Sequence, residues 1–129
     1  DHTADLGIEV WARKAEDLFV NIGKAMFETQ IAGDLNTDLE KHITLQAESL
    51  EDLFVDWCRE LLYDFSVEGF IPATYDVEIT GFSLDALLRG DGFDPQRHRV
   101  KLEIKNPTYH NLMIKGERNG IRAKIIFDV

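Results

Sequence analysis

The sequence has one cysteine, Cys58, among its 129 residues. A lone thiol cannot form a disulfide within the chain, so we expect a reducing, cytoplasmic setting. No apolar run approaches the roughly 20 residues that a membrane-spanning helix needs, and no basic segment leads into an apolar one as in a secretory signal. The absence of a starting Met indicates that some residues precede Asp1.

Positive charge is also scarce. The chain holds 14 Lys and Arg against 24 Asp and Glu, which gives a net charge of −10. Affinity for nucleic acid rests largely on contacts of Lys and Arg with phosphate, so a broad nucleic-acid surface is not expected. An acidic surface of this kind is compatible with docking on a basic protein partner.

The residues that are present are typical of a globular protein. Hydrophobic residues make up 44% of the chain and include eight Phe, which argues against disorder. The length matches the commonest size of one domain, so residues 1–129 are predicted to form a single domain. The apolar neighbours of Cys58 predict that it fills the core rather than acting as a reactive thiolate.

Hydrophobic periodicity predicts the order strand, helix, strand, helix, followed by four or five strands. This pattern indicates an α+β fold with two helices packed on a largely antiparallel sheet, in one layer or two. We expect the following elements: a strand over 6–10, a helix from about 14 to a stop at 32–34, a strand over 39–47, a helix from a Ser49 cap to Gly69, strands at 75–79, 84–89 and 100–104, a turn at 90–92, and a hairpin of 108–115 with 121–129 turning at Asn119-Gly120.

Both chain ends place an aspartate beside an apolar strand. Asp5 begins its strand and Asp128 ends the last one, and both lie on the face opposite the core residues. They can meet only if the first and last strands are antiparallel neighbours. Two carboxylates and the terminal oxygens of Val129 would then repel one another unless a cation neutralised them, and oxygen ligands favour Ca, Mg or Mn over Zn. The alternative is a pair of solvated or turn-capping aspartates.

Four segments in order resemble the archease family over essentially the whole chain. They are Asp1-His2-Thr3-Ala4-Asp5-Leu6-Gly7, Gly90-Asp91-Gly92-Phe93-Asp94 with His98, Ile104-Lys105-Asn106-Pro107-Thr108-Tyr109-His110, and Phe127-Asp128-Val129. The sequence departs from the family pattern at Asn106-Pro107, where a small or apolar pair is usual, and at Asp91, where Glu is commoner. Proline removes a donor from the strand ladder and favours a bulge or break there.

The resemblance implies a protein cofactor, not an enzyme. Archeases are small acidic activators of the RtcB-type tRNA-splicing RNA ligase, and they promote its guanylylation, broaden its use of nucleotides and support multiple turnover. Contact with tRNA would then be indirect, through the ligase. Two alternatives are a chaperone-like modulator of a tRNA cytosine methyltransferase and a freestanding metal-dependent phosphohydrolase, in which carboxylates and Mg or Mn would activate water.

The resemblance also implies site residues. A divalent cation would be held by Asp5, Asp128 and Val129, the last through its terminal carboxylate or carbonyl. Lys105 is a further functional candidate that can offer a point charge to phosphate. His2, Tyr109 and His110 are candidates for contact with the ligase or its nucleotide, and His98 is a further candidate for the polar patch around Lys105. The alternative is that these are ordinary loop and sheet-face residues.

Overall fold

The computed structural model describes residues 5–129, which form two helices and eight strands. In chain order they are β1 (Asp5–Ala12), α1 (Ala15–Gln30), β2 (Ile31–Ala32), β3 (Leu39–Gln46), α2 (Leu50–Glu68), β4 (Phe70–Thr80), β5 (Ser83–Gly92), β6 (Arg99–Val100), β7 (Asn106–Glu117) and β8 (Gly120–Asp128). The predicted α+β class is confirmed. Neither helix combines the length and the apolar character that crossing a membrane requires.

The strands form three antiparallel sheets. One has the order β1-β8-β7, the second β3-β5-β4, and the third pairs only the short strands β2 and β6. The last strand, β8, therefore lies between β1 and β7. As the sequence predicted, the first and last strands are antiparallel neighbours.

Both helices contribute to the core against the sheets. Trp57 of α2 is fully buried and its indole N–H donates to the carbonyl of Phe19 on α1 at 2.9 Å. The Phe19 and Phe54 rings meet edge to face with centroids 5.1 Å apart, a favoured aromatic geometry. Cys58 is fully buried, as predicted, and burial raises the pKa of its thiol, which keeps it unreactive.

Helix α2 begins and ends where the sequence predicted. The Ser49 hydroxyl accepts a hydrogen bond from the backbone N–H of Asp52 at 3.0 Å, which satisfies a donor left free at the helix start. Gly69 ends the helix in a left-handed conformation with φ 72°, where glycine avoids the strain of a Cβ.

The predicted stop of α1 at residues 32–34 is wrong. The helix ends at Gln30, and Ile31–Ala32 pair with Arg99–Val100 instead. Gln30 is buried, and its side-chain oxygen accepts from the Ile104 N–H at 3.0 Å while its carbonyl accepts from Lys101. The strand predicted at 100–104 is also wrong in extent. Only Arg99–Val100 form a strand, and Ile104 bonds to a residue of α1 instead.

The turn predicted at residues 90–92 is also wrong, because these residues continue β5. A Cβ on Gly90 would lie 2.1 Å from the backbone oxygen of Ile71 on β4. Glycine is therefore needed here for the close approach of two strands, beside the register shift between Pro72 and Thr74. The chain turns only after Gly92.

Candidate metal centre

Asp5 and Asp128 are directly opposite each other in the β1–β8 pairing. Residues directly opposite in an antiparallel pair share a face, with Cβ atoms about 4.5–5.5 Å apart. The meeting of the two aspartates that strand parity predicted is therefore confirmed. Because β8 is the middle strand of its sheet, one residue of β7 must also lie beside Asp128.

That residue is Asn106, which pairs with Asp128 from the other side. Asp5, Asp128 and Asn106 thus form one line of side-chain oxygens across three strands, and we call this set the oxygen row. In the sequence, Asn106 stands out only as part of a departure from the family motif. Its place opposite Asp128 could not be found by counting back from the hairpin turn, because the pairing of β7 with β8 becomes irregular between that turn and Asn106.

The main chain at the oxygen row is firmly anchored. Phe127 is fully buried on the opposite face of β8, and the Val129 side chain packs against the core. The Lys105 N–H donates to the carbonyl of Asp128 at 2.8 Å. Val129 directly follows Asp128 in the chain, so its main chain adjoins the row.

No counter-charge accompanies the two aspartates in the described chain. Neither Asp5 nor Asp128 forms an ion pair with a basic side chain of residues 5–129. Arg122, on the same face of β8, is bound to Glu117 at 2.8 Å and lies 3.6 Å from Glu9. Two like charges that face each other across strands destabilise the pairing unless something neutralises them.

The donors of the row fit a hard divalent cation. Carboxylate, amide and main-chain oxygens are the ligands that Ca, Mg and Mn prefer. Residues 5–129 contain no group of three or more His, Cys, Asp or Glu side chains arranged to hold a metal. Asp5 and Asp128 would therefore supply only part of a coordination shell, and further oxygens must complete it.

The surface at the row is open among the described residues. Asp5 and Asn106 are exposed and Asp128 is half-buried. Gly7 lies on the same face of β1 as Asp5, and a Cβ built on it would meet no described atom within 4 Å. A large group, such as part of another protein, can therefore approach this face.

The other predicted contact residues lie along or beyond the start of β7. Lys105 is exposed and joins the row through its backbone bond to Asp128. Tyr109 is 53% exposed, and its hydroxyl donates to Asp52 at the start of α2 at 2.7 Å, a hydrogen bond that raises the pKa of Tyr109. His110 is exposed beside Asn111. His2 lies outside the described residues.

The irregularity predicted at Asn106-Pro107 occurs further along the strand. Pro107 is buried and pairs with Phe127, and the register of β7 shifts between Thr108 and Met113. Tyr109 and His110 lie in this shifted segment and have no partner on β8, so the structure does not bring them into the oxygen row. The bulge or break predicted at Asn106-Pro107 is therefore wrong, because both residues pair with β8 in regular register.

The second acidic motif has a different character. Asp91 is buried and its carboxylate takes two hydrogen bonds from Arg97, at 2.9 and 3.1 Å. It also accepts from the backbone N–H groups of Asn36 and Gly92. His98 is buried and lies 3.4 Å from Asp91, with its Nε2 on the Asp34 carbonyl at 3.0 Å. We call this set the Asp91 network, and the hydrogen bonds of His98 in it go to Asp34 and Asp94, not to Lys105.

The backbone N–H of Asp94 donates to His98 Nδ1 at 3.0 Å. This ring nitrogen is therefore the acceptor, and Nε2 carries the proton that reaches the Asp34 carbonyl. Nδ1 thus holds the segment after β5 together, and Nε2 joins that segment to the one before β3. The arrangement explains the second motif as a structural clamp.

A groove adjoins the oxygen row. A cavity of about 600 Å³ lies between α2 and the segment 100–107, and Lys105 and Asn106 are at its edge. Its other lining residues include Arg59, Tyr63, Phe93 and Val100. Tyr63 and Val100 are 58% and 45% exposed, so the groove offers apolar surface next to a polar site.

The sequence model of the Archease protein family (MTH1598/TM1083) matches residues 1–129. The chain belongs to the archease family. It is 32% identical over 140 residues to the protein archease of Methanopyrus kandleri, covering 100% of this chain and 96% of that protein. It is 32% identical over 125 residues to the protein archease of Pyrococcus furiosus, covering 93% of this chain and 88% of that protein.

Solved structures share the archease fold. The solution structure of Methanobacterium thermoautotrophicum protein 1598 superposes with a TM-score of 0.81 at 27% identity, covering 100% of this chain and 95% of that one. The crystal structure of a Thermotoga maritima protein, described as an archease, possible chaperone, gives a TM-score of 0.72 at 25% identity over 99% and 93% of the two chains. The resemblance drawn from four motifs is therefore confirmed.

Proposed function

We propose that the chain is a metal-binding cofactor of an RtcB-type tRNA-splicing RNA ligase in the cytoplasm. In this role it promotes guanylylation and multiple turnover of the ligase and catalyses no reaction alone. The observation that supports the proposal most is the direct pairing of Asp5 with Asp128 on a face where residues 5–129 provide no counter-charge. Membership of the archease family supplies the choice of partner.

The chain's own oxygens would hold the cation. Asp5 and Asp128 contribute carboxylates from neighbouring strands, and Val129 contributes a main-chain oxygen beside them. When bound, a Ca, Mg or Mn ion supplies positive charge that phosphate oxygens can use. The anchored β8 main chain keeps the carboxylates in place, so that little ordering is needed when the partner arrives.

The partner would complete the site. Because the aspartates fill only part of a coordination shell, the remaining positions stay available to water or to groups of the ligase and its nucleotide. Lys105 is exposed and adjoins the row through its backbone bond to Asp128, and a lysine ammonium suits contact with phosphate. The neighbouring groove, with exposed Tyr63 and Val100, gives the ligase an apolar surface to cover. His2, Tyr109 and His110 remain candidates for the same interface.

The test measures covalent transfer of GMP to an RtcB-type ligase with GTP and a divalent cation, with and without this protein. We expect the wild-type chain to accelerate the transfer and Asp128→Ala to abolish the acceleration while it remains folded. Asp76→Ala is the matched control, because Asp76 is an exposed strand aspartate in the other large sheet. Full stimulation by a folded Asp128→Ala protein would rule the proposal out.

A second candidate function is that of a chaperone-like modulator of a tRNA cytosine methyltransferase. It is favoured by the description of the Thermotoga maritima relative as a possible chaperone and by the exposed apolar residues at the groove. In that case the protein would suppress aggregation or change the target choice of the methyltransferase, and Tyr63→Ser would weaken this effect while Asp128→Ala would not. Stimulation of the ligase without any effect on the methyltransferase would exclude this alternative.

A further inference from the structure

Asn106 occupies the third position of the oxygen row. It is the β7 partner of Asp128, just as Asp5 is the β1 partner. Directly opposite residues of neighbouring strands project from the same face, with Cβ atoms about 4.5–5.5 Å apart. The Asn106 amide and the Asp5 carboxylate therefore flank Asp128 on the exposed side of the sheet.

The main chain fixes Asn106 at this place. The Lys105 N–H donates to the Asp128 carbonyl at 2.8 Å, although Asn106 is the residue that pairs with Asp128. This additional bond and the pairing of Asn106 with Asp128 together hold the start of β7 against the end of β8. Pro107 follows as a buried residue, and the Thr108 hydroxyl donates to the Ile126 carbonyl at 2.8 Å.

The chemistry of an amide suits the need of the row. Two carboxylates already repel each other, and a third would add to the repulsion in the metal-free protein. An amide oxygen can ligate a hard cation without adding charge, and calcium sites commonly use Asn in this way. Ca²⁺ takes six to eight oxygens whereas Mg²⁺ retains several waters, so an additional side-chain oxygen is of greater benefit to Ca²⁺.

We propose that Asn106 supplies a third side-chain oxygen to the divalent cation held by Asp5 and Asp128. This inference rests on the metal site of the proposed function and adds a ligand to it. Asn106 thereby makes the site of this chain more selective for Ca²⁺ over Mg²⁺ than the aspartate pair alone would be. The ligand depends on the register of β7, not on a metal-binding sequence pattern.

The test is calorimetric titration of the full chain with Ca²⁺ alone and with Mg²⁺ alone. We expect Asn106→Ala to weaken Ca²⁺ binding about tenfold, the lower end of what loss of one group supporting a metal site costs. Binding of Mg²⁺ should change less. Asn36→Ala is the matched control, since Asn36 is an exposed asparagine that serves Asp91 through its backbone N–H only, and it should bind Ca²⁺ as the wild type does.

A second variant tests the same ligand in the opposite direction. Asn106→Asp should bind Ca²⁺ more tightly than the wild type and melt at a lower temperature when metal is removed, because it adds both a ligand charge and a repulsion. Unchanged Ca²⁺ affinity in both Asn106 variants overturns the inference and leaves the Asp5–Asp128 site standing. A wild-type chain that binds neither ion overturns the metal site together with the inference.

Discussion

The oxygen row and the Asp91 network show two different uses of aspartate in one small protein. Asp91 is buried, but Arg97 and the Asn36 N–H bind its carboxylate and hold its pKa well below the usual range. Asp5 and Asp128 are more exposed, yet no basic side chain of residues 5–129 pairs with either of them. The Asp91 carboxylate is neutralised within the fold, whereas residues 5–129 provide no counter-charge to the other two carboxylates.

This difference teaches how a structural acid is distinguished from a functional one. Asp91, Asp5 and Asp128 all lie in segments that carry the family resemblance. The sequence motifs alone therefore do not tell which of these aspartates are structural. The hydrogen bonds separate them, because a carboxylate with three or four internal donors has little capacity left for a metal. Burial alone would not identify the structural aspartate by its need for a partner, because the least exposed of the three, Asp91, is the one whose charge is already satisfied within the fold.

The largest effect should come from removing Asp91. Asp91→Ala leaves Arg97 and the N–H groups of Asn36 and Gly92 without their acceptor, and we expect a loss of about 3 kcal/mol in the free energy of unfolding. Asp128→Ala should change it by less than about 0.5 kcal/mol without metal. Urea unfolding of both variants measures the contrast, and equal losses would contradict it.

Calcium should then stabilise the protein through the oxygen row alone. At one hundred times its dissociation constant, Ca²⁺ should raise the free energy of unfolding by about 2.7 kcal/mol. Asp128→Asn should lose this gain, whereas Asp76→Asn, which changes an exposed strand aspartate elsewhere, should keep it. Thermal unfolding with and without Ca²⁺ provides the measurement. A gain that persists in Asp128→Asn would place the cation at another site.

A third acid lies between the two extremes. Asp64 of α2 is buried with one oxygen unpaired, and Lys41 lies 3.6 Å from its other oxygen while binding Glu68 more closely. Burial, followed by the neighbouring Glu60, raises the pKa of Asp64 to about 7. The folded protein thus favours protonated Asp64. Protonation of Asp64 therefore contributes fully to the free energy of unfolding below about pH 4, and this contribution is lost as the pH rises through about 7.

Asp64→Asn should remove this pH dependence, because the amide that replaces the carboxyl group stays neutral over this range. Between pH 5 and pH 8, we expect the wild type to lose roughly 2–3 kcal/mol relative to the variant. Urea unfolding at a series of pH values gives the difference, with Asp76→Asn as the control that should follow the wild type. A constant difference across this range would show that Asp64 does not titrate there.

Some of the site could be predicted from the sequence because it depends on unbroken alternation. Residues 6–10 and 121–129 alternate regularly, so the parity of Asp5 and Asp128 fixed their common face, and their positions at opposite ends of their strands required antiparallel pairing. Helix α2 was likewise predictable, since its Ser49 cap and Gly69 stop are local signals. Local patterns therefore located both ends of the chain and one helix.

The remaining features depend on contacts between distant residues. The end of α1 is set by the buried Gln30 amide bonding to Ile104, and Gly90 is required by the backbone of Ile71 rather than by a turn. Asn106 joins the oxygen row through the register of β7, which no local pattern specifies. A glycine or proline in the sequence indicates a backbone constraint, but only the partner across the sheet tells which constraint it is.

The smallest effect gives the most direct comparison of the two regions. In metal-free protein, Asp5→Asn should raise the free energy of unfolding by about 0.5 kcal/mol, because it removes one of two like charges that face each other. The gain should shrink at high salt, which screens exposed charges. Glu9→Gln is the control, since Glu9 lies 3.6 Å from Arg122 and opposite Lys124, so losing its charge should bring no gain. A loss of stability in Asp5→Asn would mean that its carboxylate is bound by donors as Asp91 is, and the row would then be structural.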